Sequence, residues 1–257
     1  MSLLYWWPFN NSATNLGIVG ATLVAHNISY YSRGKTANYC AQFTSSNSSY
    51  FRLPNITLTS KMSFACWVNF QSTGGAFIID CRSSELGYQP MYGGPGYGFQ
   101  VASSNGNAIA SWSDADCGFI QSTWYHIAVT ITGIYAELFI NGVSKGKILG
   151  SFGYNCGDSI LTIGSRHTLS TGWLNGCIND LRIYNHILST KEIKNLARGL
   201  MLHYDFENAY EQLDYIEGNG GQYIDTGIIP STTLRGQIIL TPDLSYVSEY
   251  AVLGADL

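Results

Sequence analysis

Two acidic residues close together, Asp114 and Asp116, are the clearest candidates for metal chemistry in this chain. They stand in the polar segment Ser-Trp-Ser-Asp-Ala-Asp-Cys-Gly at 111–118, which we predict to be a loop. Carboxylate oxygens suit Ca²⁺, but a calcium site needs about six or more oxygens, and this pair supplies only part of such a set. The pair therefore indicates either a calcium site or two solvated loop residues, and both interpretations stay open.

Aromatic side chains in predicted loops and turns are the candidates for ligand binding. The segment 83–98 is dense in Gly, Pro and Tyr, and we expect it to be irregular. The candidate binding residues are Tyr88, Tyr92, Tyr97, Trp112, Tyr154 and Trp173. Sugars stack their C–H faces on aromatic rings while Asn and Asp bond the hydroxyls, so this composition favours a carbohydrate or another cell-surface ligand. The alternative is that these rings pack the loops onto the body of the protein.

Three other polar residues are interpreted as structural. His126 follows Trp124 by two positions in a predicted strand, so both side chains should face the same side. A single histidine there is expected to be a hydrogen-bonded core residue rather than a base or a metal ligand. Asp180 and Arg182 share a strand face in the same way, and we expect them to form a structural pair.

The stretch 123–146, TWYHIAVTITGIYAELFINGVSKG, sets the architecture that positions these residues. Asn141-Gly142 between two apolar, β-rich runs is a strong hairpin signal, because both turn residues must adopt positive φ. The stretch is therefore predicted to form three successive antiparallel strands.

The rest of the chain predicts about a dozen short strands and one helix. A strand beginning at Tyr50 is expected to end at Pro54. The helix begins after Ser189, which can cap its first turn while Glu192 reaches back, and Gly199 supplies the stop. Many short strands with frequent turn signals indicate an all-β, antiparallel two-sheet sandwich with one short helix.

Composition excludes several classes of function. Charged residues make up 12% of the chain and the formal net charge is −4, which argues against a nucleic-acid partner. No apolar run approaches the roughly 18–20 residues needed to span a bilayer, so we expect no membrane insertion. The N-terminal segment MSLLYWWPFN has no basic region, so it is not expected to be a signal peptide.

The six cysteines lie far apart without a Cys-x-x-Cys pair, which argues against a zinc cluster. Their even number permits disulfides, but without an export signal we expect them to be reduced.

A partial internal repeat suggests two domains. The segment MLHYDFEN at 201–208 resembles LYWWPFNN at 4–11, so a related unit is predicted to begin near residue 201. We expect residues 1–200 to form the sandwich, and residues 201–257 to be a linker and the start of a second, incomplete β unit. The chain is then a fragment of a longer protein, or its tail pairs with another subunit.

Four segments together resemble the laminin-G-like, concanavalin A-like lectin/glucanase superfamily. They are LLYWWPFN at the start, SFACWVNF, the stretch 123–146, and LTIGSRHTLSTGWLNGCINDLRIYNHILSTKEIKNLARG. The resemblance implies a jelly roll, an antiparallel sandwich of two sheets, over the first 200 residues.

The resemblance also implies a function and a setting. Two linked modules of this kind are similar to bacteriophage structural proteins or bacterial surface proteins. We therefore expect a virion or cell-surface location, other assembly subunits as partners, and possible homo-oligomers. Glycosidases of this superfamily carry paired carboxylates on one strand, such as Glu-x-Asp-x-x-Glu, but here Glu137 stands alone on its strand. The expected function is non-catalytic recognition or adhesion, and the alternatives are a purely structural virion protein or, with less support, a glycan hydrolase.

Overall fold

Two antiparallel sheets form the sandwich that the sequence predicts. The computed structural model describes residues 2–83, 86–103, 108–152 and 156–199. The eight strands of sheet A are β1 (Leu3–Trp7), β3 (Ser29–Tyr31), β4 (Cys40–Phe43), β6 (Met62–Phe70), β11 (Trp124–Ile131), β12 (Tyr135–Ile140), β13 (Val143–Leu149) and β15 (Gly176–Tyr184). The seven strands of sheet B are β2 (Val24–His26), β5 (Tyr50–Leu58), β7 (Ala76–Ser83), β8 (Leu86–Gly94), β9 (Gly98–Ser103), β10 (Ala108–Trp112) and β14 (Cys156–Ile163).

The core lies between the two sheets because alternate residues of each strand point inward. On β6, Phe64, Cys66 and Val68 are fully buried in this core. Fully burying an apolar side chain of this kind contributes about 1.5–3 kcal/mol. The intervening residues, among them Trp67 and Asn69, therefore face outward from sheet A.

Strands β11, β12 and β13 form the predicted meander. Asn141 and Gly142 connect the last two strands with φ of 51° and 78°, as the Asn-Gly hairpin signal requires. Strand β11 also pairs along its whole length with β6, so the meander occupies one half of sheet A.

In the described ranges two short α-helices accompany the sheets. Helix α2 (Thr190–Ala197) begins as predicted, with a capping box between Ser189 and Glu192. Its buried residues Ile193 and Leu196 pack with Leu188 on the outer face of sheet A. The other helix, α1 (Asp114–Cys117), is a single turn in a segment that we predicted to be a loop.

The prediction of an irregular segment at 83–98 is wrong, because most of it forms strand β8 and its tight hairpin with β9. Glycine permits this pairing. A Cβ on Gly93 would lie 2.4 Å from the carbonyl oxygen of Gly98, so only glycine lets the two strands approach this closely.

The predicted end of a strand at Pro54 is also wrong, since β5 continues to Leu58. Its pairing with β14 shifts register between Leu53 and Ile56, and Asn55 has a φ of 59°. A bulge at this point removes the need for a backbone donor, which is what allows proline inside a strand.

The described residues leave some sequence predictions open. The predicted second unit, residues 201–257, lies outside them.

In the described part no helix is long and apolar enough to cross a membrane. Five cysteines, Cys40, Cys66, Cys81, Cys117 and Cys177, are buried and free.

Candidate functional site

The outer face of sheet A carries a groove of about 310 Å³ beside the part covered by α2. The residues that line this sheet A groove are Tyr31, Arg33, Asn69, Gln71, Ser122, Trp124 and Cys177. They combine two aromatic rings, two amides, a hydroxyl, a guanidinium and a thiol, and none of them is acidic. Such a mixture of flat apolar rings and hydrogen-bonding groups is typical of small-ligand sites.

Strand register assembles the floor of the groove. Asn69 on β6 lies directly opposite Trp124 on β11 and, on its other side, directly opposite Cys177 on β15. The three side chains therefore form a row across three neighbouring strands. Asn69 and Trp124 are half-buried, so each keeps part of its surface accessible.

Edge strand β3 and two neighbouring loops supply the walls. The Ser122 N–H donates to the carbonyl oxygen of Phe70 at 2.7 Å, which ties the turn before β11 to the end of β6. On the opposite side, the guanidinium carbon of Arg33 lies 5.9 Å from the centre of the Tyr31 ring. The groove is thus bounded by a fixed turn and by an aromatic–cation pair.

Asn179 anchors the loop that carries Arg33. Its Oδ1 accepts hydrogen bonds from the backbone N–H groups of Lys35 and Thr36 at 2.9 and 2.8 Å. It also accepts a bond from the Thr36 hydroxyl at 2.9 Å. The buried Asn179 side chain thus accepts hydrogen bonds from three donors of this loop, and these bonds hold the loop against β15.

A buried aromatic pair lies between the groove and helix α2. Trp67 and His126 are directly opposite each other on β6 and β11, with ring centres 5.4 Å apart in an edge-to-face arrangement. Burial, reinforced by the nearby Arg182 charge, lowers the pKa of His126 to about 3. His126 is therefore neutral at physiological pH and is unsuited to act as a general acid or base there.

His126 was predicted to be a hydrogen-bonded core residue on the same side as Trp124. Both side chains do lie on the outer face, and His126 is buried. Its Nδ1, however, has no hydrogen-bond partner within the described residues, so that part of the prediction is wrong.

Two of the predicted binding residues are packed inside the protein. Tyr88 is fully buried, and its hydroxyl donates to the carbonyl oxygen of Thr59 at 2.9 Å. Trp112 is only 5% exposed, and its indole N–H donates to the carbonyl oxygen of Lys145 at 3.1 Å. Strand alternation and a backbone partner turn both rings inward, so neither ring is exposed to a ligand in this structure.

The other predicted aromatics are separated among the loops. Tyr92 and Tyr97 meet edge to face with ring centres 5.0 Å apart, and Tyr97 is 40% exposed. The ring centre of Trp173, in the loop before β15, lies 6.0 Å from that of Tyr50 on β5 of sheet B. Tyr154 lies outside the described residues.

The predicted calcium ligands both have local hydrogen-bond partners. An Asp116 oxygen accepts bonds from the backbone and hydroxyl of Ser113 at 3.0 and 2.6 Å, and these bonds lower the pKa of the Asp116 carboxyl. Asp114 accepts a bond from the Gly96 N–H at 2.8 Å. Within the described ranges, no group of three or more His, Cys, Asp or Glu residues could hold a metal ion.

The remaining buried acids form ion pairs. Asp180 and Arg182 pair at 2.9 Å as predicted, and the indole N–H of Trp6 also donates to Asp180. Asp80 is fully buried, pairs with Arg82 at 2.8 Å, and accepts a hydrogen bond from the backbone N–H of His167. These contacts are typical of structural carboxylates.

The groove itself was not predicted. Tyr31, Arg33, Asn69 and Gln71 come from separate stretches of sequence, and only the strand pairing brings them together. One signal was available. Asn69 and Trp124 occupy outward positions on two predicted strands, where large aromatic or amide side chains have no core to fill.

Comparisons with known proteins agree with this fold. The family model described as the concanavalin A-like lectin/glucanases superfamily matches residues 45–194. A sequence comparison with curated proteins finds no match.

Solved structures with the same fold include domain 4 of AbnA, an extracellular arabinanase of Geobacillus stearothermophilus, in complex with arabinotriose. It is 17% identical, with a TM-score of 0.57 over 76% of this chain and 98% of that domain. The ligand-binding domain of botulinum neurotoxin serotype D, in complex with N-acetylneuraminic acid, is 14% identical with a TM-score of 0.58. That match covers 78% of this chain and 52% of the neurotoxin domain, so this chain corresponds to about half of its length.

Proposed function

Because this chain belongs to the concanavalin A-like lectin/glucanase superfamily, we propose that its jelly roll is a non-catalytic carbohydrate-recognition module that binds its ligand in the sheet A groove. The observation that carries this proposal is the row of Trp124, Asn69 and Cys177 beneath the Tyr31 wall. We therefore take this row, and not the aromatic residues of the loops, as the principal binding surface.

The chemistry of the groove suits a sugar. The half-buried Trp124 ring offers an apolar surface on which the C–H face of a pyranose or furanose can stack. Asn69 and Gln71 each present both a donor and an acceptor, which matches the dual character of sugar hydroxyls. Two of the similar structures carry a saccharide, arabinotriose in one and N-acetylneuraminic acid in the other, which supports the same ligand class.

The charge of the groove favours an acidic saccharide. Among the described residues, Arg33 is the only charged one that lines the groove, and no carboxylate of these residues forms an ion pair with it. A guanidinium binds a carboxylate through two parallel hydrogen bonds. A sugar that carries a carboxylate would therefore gain an interaction that a neutral sugar lacks.

The environments of the acids support a non-catalytic role. Glycoside hydrolysis uses two carboxylates on either side of the scissile bond. Among the described residues no carboxylate lines the groove, and three of the described acids, Asp80, Glu137 and Asp180, are paired with a basic side chain elsewhere. Binding without bond cleavage is the function that this set of residues favours.

We place the module in a phage virion or a bacterial surface protein, where it would attach the assembly to a glycan-bearing cell. The second candidate is a purely structural subunit of such an assembly. One observation favours it: Ile134, Val143 and Leu149, which are 61–79% exposed, lie on or beside β12 and the edge strand β13. Exposed apolar side chains at a sheet edge can contact another subunit.

A binding experiment with matched variants tests the proposal. The full chain is screened on a glycan array, and the best neutral and acidic oligosaccharides are titrated by calorimetry against wild type, Trp124→Ala and Tyr97→Ala. We expect Trp124→Ala to lose about tenfold or more in affinity, which is about 1.4 kcal/mol, while Tyr97→Ala binds as wild type. If Tyr97→Ala weakens binding and Trp124→Ala does not, the ligand binds at the loops and not in the groove. If the protein binds no glycan, the purely structural role is favoured. That role predicts that the protein forms higher oligomers and that Leu149→Ser disrupts them.

A further inference from the structure

A second cavity lies beside the loop that carries Arg33, and we call it the Pro8 pocket. Its volume is about 260 Å³. The residues that line it are Pro8, Asn10, Ser12, Thr14, Leu16 and Ala37. The inner surface of the pocket is mainly apolar, although three of these residues are polar. Its size and its lining suit one substituted sugar residue or a similarly small group.

The loop between β3 and β4 places the two cavities close together. It contributes Arg33 to the sheet A groove and Ala37 to the Pro8 pocket. Four residues span at most about 14 Å even when they are fully extended. This loop is folded more tightly, since the Gly34 N–H donates to the carbonyl oxygen of Asn38 at 3.3 Å. One short oligosaccharide is therefore long enough to reach both cavities.

The buried Asn179 side chain joins two walls of the pocket. Its Nδ2 donates to the carbonyl oxygens of Pro8 and Tyr39, at 2.5 and 3.1 Å. Its Oδ1 accepts hydrogen bonds from the backbone of the loop that carries Ala37. The Pro8 wall and the Ala37 wall are thus held by one amide, so the pocket exists before any ligand binds.

Asn15 fixes the third wall, which is the segment 12–16. Its Oδ1 accepts a hydrogen bond from the Trp6 N–H on β1 at 2.8 Å. The Leu16 N–H donates to the Trp6 carbonyl oxygen at 2.7 Å, which holds the end of this wall against the same strand. The Leu16 side chain is nevertheless 56% exposed. A ligand group that covers this apolar side chain would remove it from water, which favours binding.

The polar residues of the pocket offer both a donor and acceptors. The Asn10 Oδ1 accepts a hydrogen bond from the Tyr39 N–H at 3.2 Å, and the Asn10 Nδ2 has no hydrogen-bond partner within the described residues. The hydroxyl oxygens of Ser12 and Thr14 lie 2.7 Å apart and share one hydrogen bond. Since each hydroxyl oxygen has two lone pairs, this pair can accept a further hydrogen bond.

We propose that the Pro8 pocket is a second saccharide subsite, which binds the acetamido group of an N-acetylated sugar residue while a neighbouring residue of the same oligosaccharide stacks in the sheet A groove. The inference rests on the proposed function and names its saccharide more closely. An acetamido group has a methyl group for the apolar walls, a carbonyl oxygen for the Asn10 amide and an N–H for the hydroxyl pair. A sugar hydroxyl in the same place has no methyl group and would leave the apolar walls in contact with water.

Two neutral trisaccharides test the subsite. They are the β-(1,4)-linked trisaccharides of N-acetylglucosamine and of glucose, which differ only in the acetamido group that replaces one hydroxyl on each sugar. Each is titrated by calorimetry against the full chain. Burial of a methyl group and one added hydrogen bond together favour the N-acetylated trisaccharide, so we expect it to bind about fivefold or more tightly.

Variants on two walls of the pocket show where this preference arises. Leu16→Ser makes one wall polar, and Ala37→Trp fills the cavity. Both should reduce the preference to less than about twofold, while the affinity for the glucose trisaccharide changes by less than about twofold. Ile18→Ser is the matched control, because Ile18 is 71% exposed two residues beyond Leu16 and does not line the pocket. It should keep the wild-type preference.

Circular dichroism establishes that each variant is folded. If Ala37→Trp fails to fold, Leu16→Ser alone decides the test, since it changes an exposed side chain. Equal affinity of the wild type for the two trisaccharides, or binding to neither of them, would overturn the subsite. A preference that survives in the folded pocket variants, or one that Ile18→Ser also abolishes, would contradict it as well.

The proposed function is judged by a separate measurement on the same protein. Trp124→Ala is titrated with the best ligand of the glycan array. If Trp124→Ala weakens that binding and the wild type shows no preference for the N-acetylated trisaccharide, the groove binds saccharides and only the subsite is refuted. If the wild type binds no glycan, both proposals fall.

Discussion

Asn69 and Trp124 lie directly opposite each other on β6 and β11, with an amide and an indole side by side on the outer face of sheet A. The inward neighbours of Asn69, Val68 and Phe70, are buried in the core, so the position of this pair follows from the same alternation that builds the sandwich. A rigid scaffold thus presents a stacking surface beside a hydrogen-bonding group. Such preorganisation reduces the entropy lost on binding.

Removing the amide should weaken binding without unfolding the protein. Asn69→Ala deletes a donor and an acceptor from the groove, and a neutral hydrogen bond contributes about 0.5–1.5 kcal/mol. We expect the saccharide affinity to fall about three- to tenfold in calorimetry. The control is Gln100→Ala on the outward side of β9 in sheet B, which should bind as wild type. Equal losses in both variants would show that the amide acts through stability and not through contact.

Arg33 should determine the preference for acidic sugars. Arg33→Gln removes the charge but keeps hydrogen-bonding capacity, so we expect about a tenfold loss for a carboxylate-bearing oligosaccharide and less than a twofold change for its neutral analogue. Arg52→Gln on β5 changes the net charge equally at a distance from the groove and serves as the control. If both variants lose the same affinity for the acidic sugar, the effect is one of overall charge.

Local signals were predictable from the sequence. The turn at Asn141-Gly142 and the helix start at Ser189 were both predicted, because each depends on residues adjacent in the chain. The buried position of Tyr88 and the position of Pro54 inside a strand were not predicted. Each depends on how β8 or β5 pairs with strands distant in sequence, and a tyrosine in a Gly-rich segment gives no indication that it will point into the core.

The proposed binding surface was the least predictable part. Tyr31, Asn69, Trp124 and Cys177 are separated by tens of residues, and their proximity follows only from strand order and register. Tyr88, Tyr92 and Tyr97 were predicted to lie in an irregular binding loop because their segment is rich in glycine, but glycine there permits the close pairing of β8 and β9. Composition indicated a sugar-binding chemistry but gave no information on which face of the sandwich would carry it.

The buried Asp80 should make a large contribution to stability. Burial opposes its ionisation, but hydrogen bonds from Arg82 and His167 and the Arg82 charge lower the pKa of Asp80 below its usual value. Asp80→Asn leaves the Arg82 charge without this carboxylate, and breaking a buried ion pair costs about 3–5 kcal/mol. Urea denaturation followed by fluorescence measures the loss. Glu137→Gln removes a partner of the partly exposed Lys147 and should cost about 1 kcal/mol or less.

The same ion pair predicts a sensitivity to acid. Because the pKa of Asp80 is lower in the folded state, its contribution is fully present above the unfolded-state pKa of about 3.9 and is lost as the pH falls below that value. Wild type and Asp80→Asn should therefore approach each other in stability below about pH 3.9. A constant difference between them down to the acid transition would show that the pKa of Asp80 is the same in the folded and unfolded states.

His126 should produce a second pH dependence at higher pH. Its folded-state pKa is lowered to about 3 by burial and by Arg182, whereas the unfolded chain binds a proton below about pH 6.5. The unfolded state therefore holds more protons between these two values, and the free energy of unfolding falls as the pH decreases through this window, by at most about 1.4 kcal/mol per pH unit. His126→Phe keeps an aromatic ring against Trp67 and removes the titration, so its unfolding free energy should change less between about pH 6.5 and pH 4.5. Urea titrations at several pH values measure both slopes. Parallel pH profiles for the two proteins would mean that His126 becomes protonated in the folded state, with water or a structural rearrangement providing the partner that its Nδ1 lacks among the described residues.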